Sequence, residues 1–137
     1  METTENNEFT FILMKKNDAG VLETELGSYT VSQGGEYMLS AYAKADKAYF
    51  LLSTGVDTAD WQYSAIYDNF DHEPLVKAGF AVEDDEEQYN PAWLVSFGFI
   101  ENETAMTERL EMMMSLFISE LTDTLDTIEG LENEYED

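Results

Sequence analysis

The chain contains no cysteine. Disulfides, thiolate metal centres and cysteine nucleophiles are therefore excluded. Histidine occurs once, as His72, so a histidine-based dyad or triad would have to use it. His72 sits between Asp71 and Glu73 at a predicted helix start, where a histidine is a solvated surface residue. Basic residues are nearly as scarce. Six lysines and arginines face 30 aspartates and glutamates, a net charge of −24, and Arg109 is the one arginine. Phosphate contacts need lysine and arginine, so direct binding to DNA or RNA is not expected. The same shortage argues against anionic membranes. No apolar run approaches a transmembrane length. The first ten residues are acidic and polar, the opposite of a signal peptide. A cytoplasmic location is the expectation.

What is present is enough apolar matter for a core. Hydrophobic residues make up 44% and aromatics 13% of 137 residues. A chain this acidic with few aromatics would read as disordered; this one reads as a single domain over 1–137, with flexible ends at 1–7 and 132–137.

Thr104 to Leu131 is the longest periodic stretch. On a helical wheel Met106, Leu110, Met113, Met114, Phe117 and Leu121 share one stripe, continued by Ile118, Leu125 and Ile128. The spacing predicts a helix about 40 Å long. Thr104 is the expected N-cap, with Asn102 the competitor, and Gly130 the expected stop. Glu108, Glu111, Asp126 and Glu129 fall on the opposite, wet side. Met112 and Leu116 lie off the stripe, one turn apart. They are the candidate residues for self-association, so the chain is expected to be a monomer or a weak homodimer.

The remainder reads mostly as strand. Phe9 to Lys16 alternates, Asn17-Asp18-Ala19-Gly20 turns, and Val21 to Val31 returns, with an irregularity near Gly27. Gln33-Gly34-Gly35 breaks the chain. Glu36 to Ala43 and Ala48 to Ser53 read as two more strands around a tight turn at Lys44-Ala45-Asp46-Lys47. Trp61, Tyr63, Ala65 and Tyr67 alternate with Gln62, Ser64, Ile66 and Asp68, which predicts a strand over Asp60 to Phe70. A helix over the same residues is the competing reading, capped by Asp57 or Asp60. His72 to Ala78 predicts a short helix with Pro74 in its first turn. Phe80 to Val82 pairs briefly, Glu83 to Gln88 is an acidic loop, and Ala92 to Glu101 is a strand. The fold class is α+β: a mostly antiparallel sheet of about five to seven strands, with the long C-terminal helix packed across one face.

Three segments carry a resemblance. They are Glu25-Leu26-Gly27-Ser28-Tyr29, Trp61-Gln62-Tyr63-Ser64-Ala65-Ile66-Tyr67-Asp68, and Tyr89-Asn90-Pro91-Ala92-Trp93-Leu94-Val95. In order and spacing, over residues 9 to 100, the chain resembles an uncharacterised family of small acidic bacterial proteins. The resemblance implies a cytoplasmic bacterial or phage source and no particular activity.

No nucleophile elbow, phosphate-cradling loop or dinucleotide fingerprint occurs. Asp68 and Asp71, beside Tyr67 and Phe70, are the best pair for carboxylate catalysis, but a pair without a cleft says little among 30 acids. The run Glu83, Asp84, Asp85, Glu86 and Glu87 lacks the spacing that wraps a calcium ion. No metal or cofactor is expected, and no catalysis. Trp61 and Trp93 belong to the core; Tyr63, Tyr67 and Tyr89 are the aromatics expected to be partly exposed.

The function that fits is a noncatalytic acidic interaction protein with a basic partner. In its sharper form it mimics nucleic acid and inhibits a nucleic-acid-binding enzyme, by analogy with small phage inhibitors of bacterial defence (anti-CRISPR) nucleases. The partner-facing candidates are Glu108, Glu111, Asp126 and Glu129, with Glu83 to Glu87 as a second patch. The alternative is a small-molecule pocket between sheet and helix, lined by Met106, Met112, Met113 and Met114.

Overall fold

A computed structural model describes residues 8–135. It contains six strands: β1 (Phe9–Lys16), β2 (Leu22–Val31), β3 (Met38–Lys44), β4 (Lys47–Ser53), β5 (Ala81–Asp84) and β6 (Ala92–Gly98). The helices are α1 (Asp60–Asn69), α2 (Glu73–Lys77), α3 (Glu103–Ile128) and α4 (Glu132–Tyr135), and a single 3-10 turn spans Gly35–Tyr37. The strands form one sheet in the order β2-β1-β3-β4-β6-β5. Every pairing is antiparallel except β1 with β3, which is parallel and holds at Lys15–Ala43. The architecture is therefore α+β, with a six-stranded mixed sheet and a long C-terminal helix.

Alternation decides which side of the sheet is covered. Leu13, Tyr29, Phe50, Leu52, Val95 and Phe97 point into the core. Met106, Leu110, Met113, Met114, Phe117 and Leu121 of α3 meet them, all buried. That stripe is the one the 3.6-residue period marks out. The irregularity near Gly27 is a bulge: Leu13 pairs Gly27 and Met14 pairs Glu25, leaving Leu26 extra. The β3–β4 turn puts Ala45 at φ 54°, a left-handed value that residues other than glycine seldom adopt.

Four local expectations do not hold. Asp60 to Asn69 is a helix, not a strand. Ile66, assigned to the polar side of the alternation, is fully buried with Ala65. Gln62 reaches back to accept from the Ala59 N–H at 2.8 Å, satisfying a donor of the first turn. The helix also puts Tyr63 and Tyr67 one turn apart, rings 5.1 Å apart, on one side. The N-cap of α3 is Asn102, not Thr104: its side chain accepts from the Ala105 N–H at 2.9 Å. Helix α3 ends near Gly130, but without a left-handed glycine, because Gly130 has no positive φ. The chain turns there through Leu131 N–H to Ile128 C=O and continues into α4. Residues 132–135, read as a flexible end, thus form a helix whose Tyr135 donates to Asp68 at 2.8 Å. Residues 1–7 and 136–137 lie outside the described residues.

Candidate functional site

The outward side of α3 is not a continuous row of free carboxylates. Glu108, Asp126 and Glu129 are exposed. Glu111 is half-buried and engaged: it accepts from the Ser32 N–H at 3.0 Å and the Ser32 hydroxyl at 2.7 Å. It holds the end of β2 against the helix, so its place among the partner-facing acids is corrected. Glu120 does similar work, accepting from the Asp71 N–H at 3.1 Å. Between them the outer side carries Met112, Ser115 and Ser119. The exposed acids therefore gather towards the two ends, with Glu108 and Asp126 about 27 Å apart along the axis at 1.5 Å per residue.

The run from Glu83 to Glu87 is not all loop. Glu83 and Asp84 complete β5. Asp84 pairs with the His72 ring at 2.9 Å, across to the start of α2. Asp85 folds the turn, accepting from the Glu87 N–H at 3.1 Å and the Gln88 side chain at 3.2 Å. Glu83, Glu86 and Glu87 are left facing solvent around Leu94. Two tyrosines of α1 pin this turn from below. Tyr63 donates to the Glu86 carbonyl at 3.1 Å. Tyr67 donates to the Asp85 carbonyl at 2.8 Å and accepts from the Ala92 N–H at 2.9 Å. The acidic turn is thus presented on a rigid base. Among the described residues no group of three or more histidines, aspartates or glutamates is placed to hold a metal ion.

Tyr67 allows a direct check. Burial pushes its phenol far above the usual tyrosine range, with the neighbouring Tyr63 and Asp84 adding to the rise and the Ala92 backbone opposing it. A group whose folded pKa is raised adds stability below its unfolded pKa, about 10, and loses it as pH climbs towards the folded value. The melting temperature should hold up to about pH 9 and fall above about pH 10. Tyr67→Phe should cost about 1–3 kcal/mol at neutral pH, because the buried Ala92 N–H loses its acceptor. Its alkaline fall should also be shallower. Melting curves of both proteins across pH decide this; equal melting temperatures at pH 7 would remove the pinning role.

The remaining candidates scatter. Met112 is 46% exposed and Leu116 is half-buried against the core, so the proposed self-association pair presents little more than one side chain. The Met112 sulfur also lies 3.6 Å from the Arg109 guanidinium, whose carbon sits 3.9 Å over the Phe80 ring. Met106, Met113 and Met114 are packed into the core itself. Asp68 accepts from Tyr135, and Asp71 accepts from the Glu73 N–H at 3.0 Å, so both serve local structure. Trp93 is fully buried, Trp61 packs at the core margin, and Tyr89 is 82% exposed. No described helix is long and apolar enough to cross a membrane.

Sequence reasoning missed the uncovered side of the sheet. Strand positions 12, 14, 42, 49, 51 and 94 are apolar or aromatic on the side away from the helices. The available signal was strands apolar on both faces, as in Phe11-Ile12-Leu13-Met14 and Tyr49-Phe50-Leu51-Leu52.

A family of unknown function (DUF6762) matches residues 6–136, so the match reaches beyond the segments quoted above and takes in α3. No curated protein and no solved structure matches the chain.

Proposed function

We propose, for a chain that belongs to DUF6762, a family of unknown function, a noncatalytic role: it binds a basic protein partner through surface carboxylates held on rigid elements. The observation that carries this reading is the placement of Glu108, Asp126 and Glu129 on one long helix, exposed. Glu83, Glu86 and Glu87 stand on a turn pinned by two tyrosines. Preset carboxylates lose little side-chain freedom on binding. A net charge of −24 also speeds encounter with a basic surface.

In the sharper form, the partner surface is the lysine- and arginine-lined groove of a nucleic-acid-binding enzyme in the cytoplasm. Carboxylates then stand where phosphates would, and the protein inhibits by occupancy. The contacts are many and individually weak, as phosphate contacts are. The grouping of acids at the two ends of α3 suits a groove touched at two places.

The test is capture of a partner from lysate at low and high salt, followed by competition with DNA and RNA. Glu108→Lys/Asp126→Lys/Glu129→Lys should abolish capture and leave the melting temperature unchanged. Glu111 stays untouched, because its carboxylate holds Ser32. Undiminished nucleic-acid binding by the captured partner would rule out mimicry. Capture by the triple variant equal to that of the parent would rule out the helix surface.

A further inference from the structure

The side of the sheet turned away from α1, α2 and α3 carries the chemistry least expected of an acidic protein. The register puts Ile12, Met14, Tyr42, Tyr49, Leu51 and Leu94 on it together. Ile12 is 54% exposed, and Leu39, at the β3 irregularity, is 53% exposed. Tyr42 and Tyr49 stack with centroids 5.1 Å apart, and the Lys16 ammonium lies 3.8 Å over the Tyr42 ring. A sheet side left to water is expected to alternate to polar residues. An exposed apolar patch with a polar rim marks an interaction surface.

The charge on this side is arranged as two opposite ends. Lys16, Lys44 and Lys47 gather at one end, where β1 and β3 finish and β4 begins. They are three of the six basic residues in the chain. Glu23 and Glu25 on β2 and the turn acids Asp18 and Asp46 border them. The other end, near the start of β6 and the finish of β5, carries Glu83, Glu86 and Glu87 around Leu94. Lys47 pairs with Gly98, the last residue of β6, whereas Glu83 pairs with Leu94, its third, and the chain runs on past Asp84, opposite Trp93, to Glu86 and Glu87; the lysines thus sit at one end of β6 and the acids towards the other.

We propose that this open sheet side is a homodimer interface. Two copies pack side to side about a two-fold axis lying in the interface, midway between the lysine end and the acidic end and perpendicular to the line joining them. That operation lays Lys16, Lys44 and Lys47 of each copy over Glu83, Glu86 and Glu87 of the other, and brings the apolar centres together. A two-fold interface must be self-complementary, and this surface is. The choice of a second copy follows from charge. Most contacts between two chains of net charge −24 set carboxylate against carboxylate. This side supplies its own counter-charge, which fixes register, while the apolar centre supplies burial. The carboxylates of α3 lie on the far side of the molecule and stay exposed in the dimer, so in the dimer the basic partner meets α3 alone, while Glu83, Glu86 and Glu87 face the second copy.

Sedimentation of the full chain at physiological salt should show a dimer. Lys16→Glu/Lys44→Glu/Lys47→Glu should be a monomer alone, and so should Glu83→Lys/Glu86→Lys/Glu87→Lys. Mixed in equal amounts, the two variants should form a heterodimer, because both contacts are then again opposite in sign. The milder Lys44→Gln/Lys47→Gln should weaken association at least tenfold while keeping the circular-dichroism spectrum of the folded parent, which covers a triple variant that fails to fold. A parent that stays monomeric at every concentration overturns the proposal. So does a triple variant that folds and remains dimeric alone, or a folded pair that stays monomeric when mixed. The partner-capture test uses α3 residues only, so either proposal can fail without the other.

Discussion

Phe117→Ala should lower stability by about 3–5 kcal/mol, the range for truncating a fully buried phenylalanine. Phe117 has no exposed surface. Its ring meets three others that arrive from separate parts of the chain. Tyr37 lies 5.9 Å away by centroid, from the turn before β3. Phe70 is at 5.8 Å, just past α1. Trp93 is at 5.6 Å, on β6. The site cannot collapse around alanine easily, because Trp93 and Phe70 are already stacked on each other at 4.2 Å. Set against a domain stability of about 5–15 kcal/mol, the loss is large. Met112→Ala, on the exposed side of the same helix, should stay within about 0.5 kcal/mol. Denaturant unfolding of the two variants measures the contrast. Removal of Glu103 onward should leave no cooperative transition, because Val31, Leu52 and Trp93 lose their cover. A truncated chain that melts like the parent would refute the organising role of α3.

Gly34→Ala should cost about 2–5 kcal/mol for two separable reasons. Gly34 sits at φ 104° and ψ 5°, in the left-handed region, which costs an L-residue about 1–2 kcal/mol. A Cβ there would also stand 2.7 Å from the Met114 sulfur and 3.1 Å from its Cγ. Met114 is fully buried on α3, so it has little room to withdraw. Overpacking of that kind costs about 1–3 kcal/mol more. The two parts come apart in a double-mutant cycle. With Met114→Ala in the background, Gly34→Ala should cost only the backbone part, about 1–2 kcal/mol. An additive cycle would mean that the contact with Met114 is not what makes Gly34 necessary. The experiment also tests how the loop after β2 is seated on α3, since Glu111 holds Ser32 in the same loop.

Several features were legible in the chain alone, because they are local. The period-two alternation of Phe9 to Lys16, with the Asn17–Gly20 turn behind it, defines β1 and β2. The tight turn at Ala45-Asp46, the strand at Ala92 and the buried stripe of α3 follow from neighbours a few residues apart. The charge of −24 is a sum over residues and needs no fold. Other features were decided only by tertiary contact. Residues 60–69 alternate like a strand, yet they become α1, where Tyr63 and Tyr67 reach the β5–β6 turn and Ile66 enters the core. Glu111 and Glu108 look alike on a helical wheel. Ser32, 79 residues earlier in the chain, takes one and leaves the other. Asp84 is claimed by His72 in the same way. The uncovered sheet side could not be read from strands that are apolar on both faces, since such strands do not say which face the helix will cover. Periodicity is a property of near neighbours, whereas a hydrogen bond between distant residues leaves no periodic trace. The elements were therefore largely written in the sequence, and the availability of each carboxylate was settled by what the fold brought beside it.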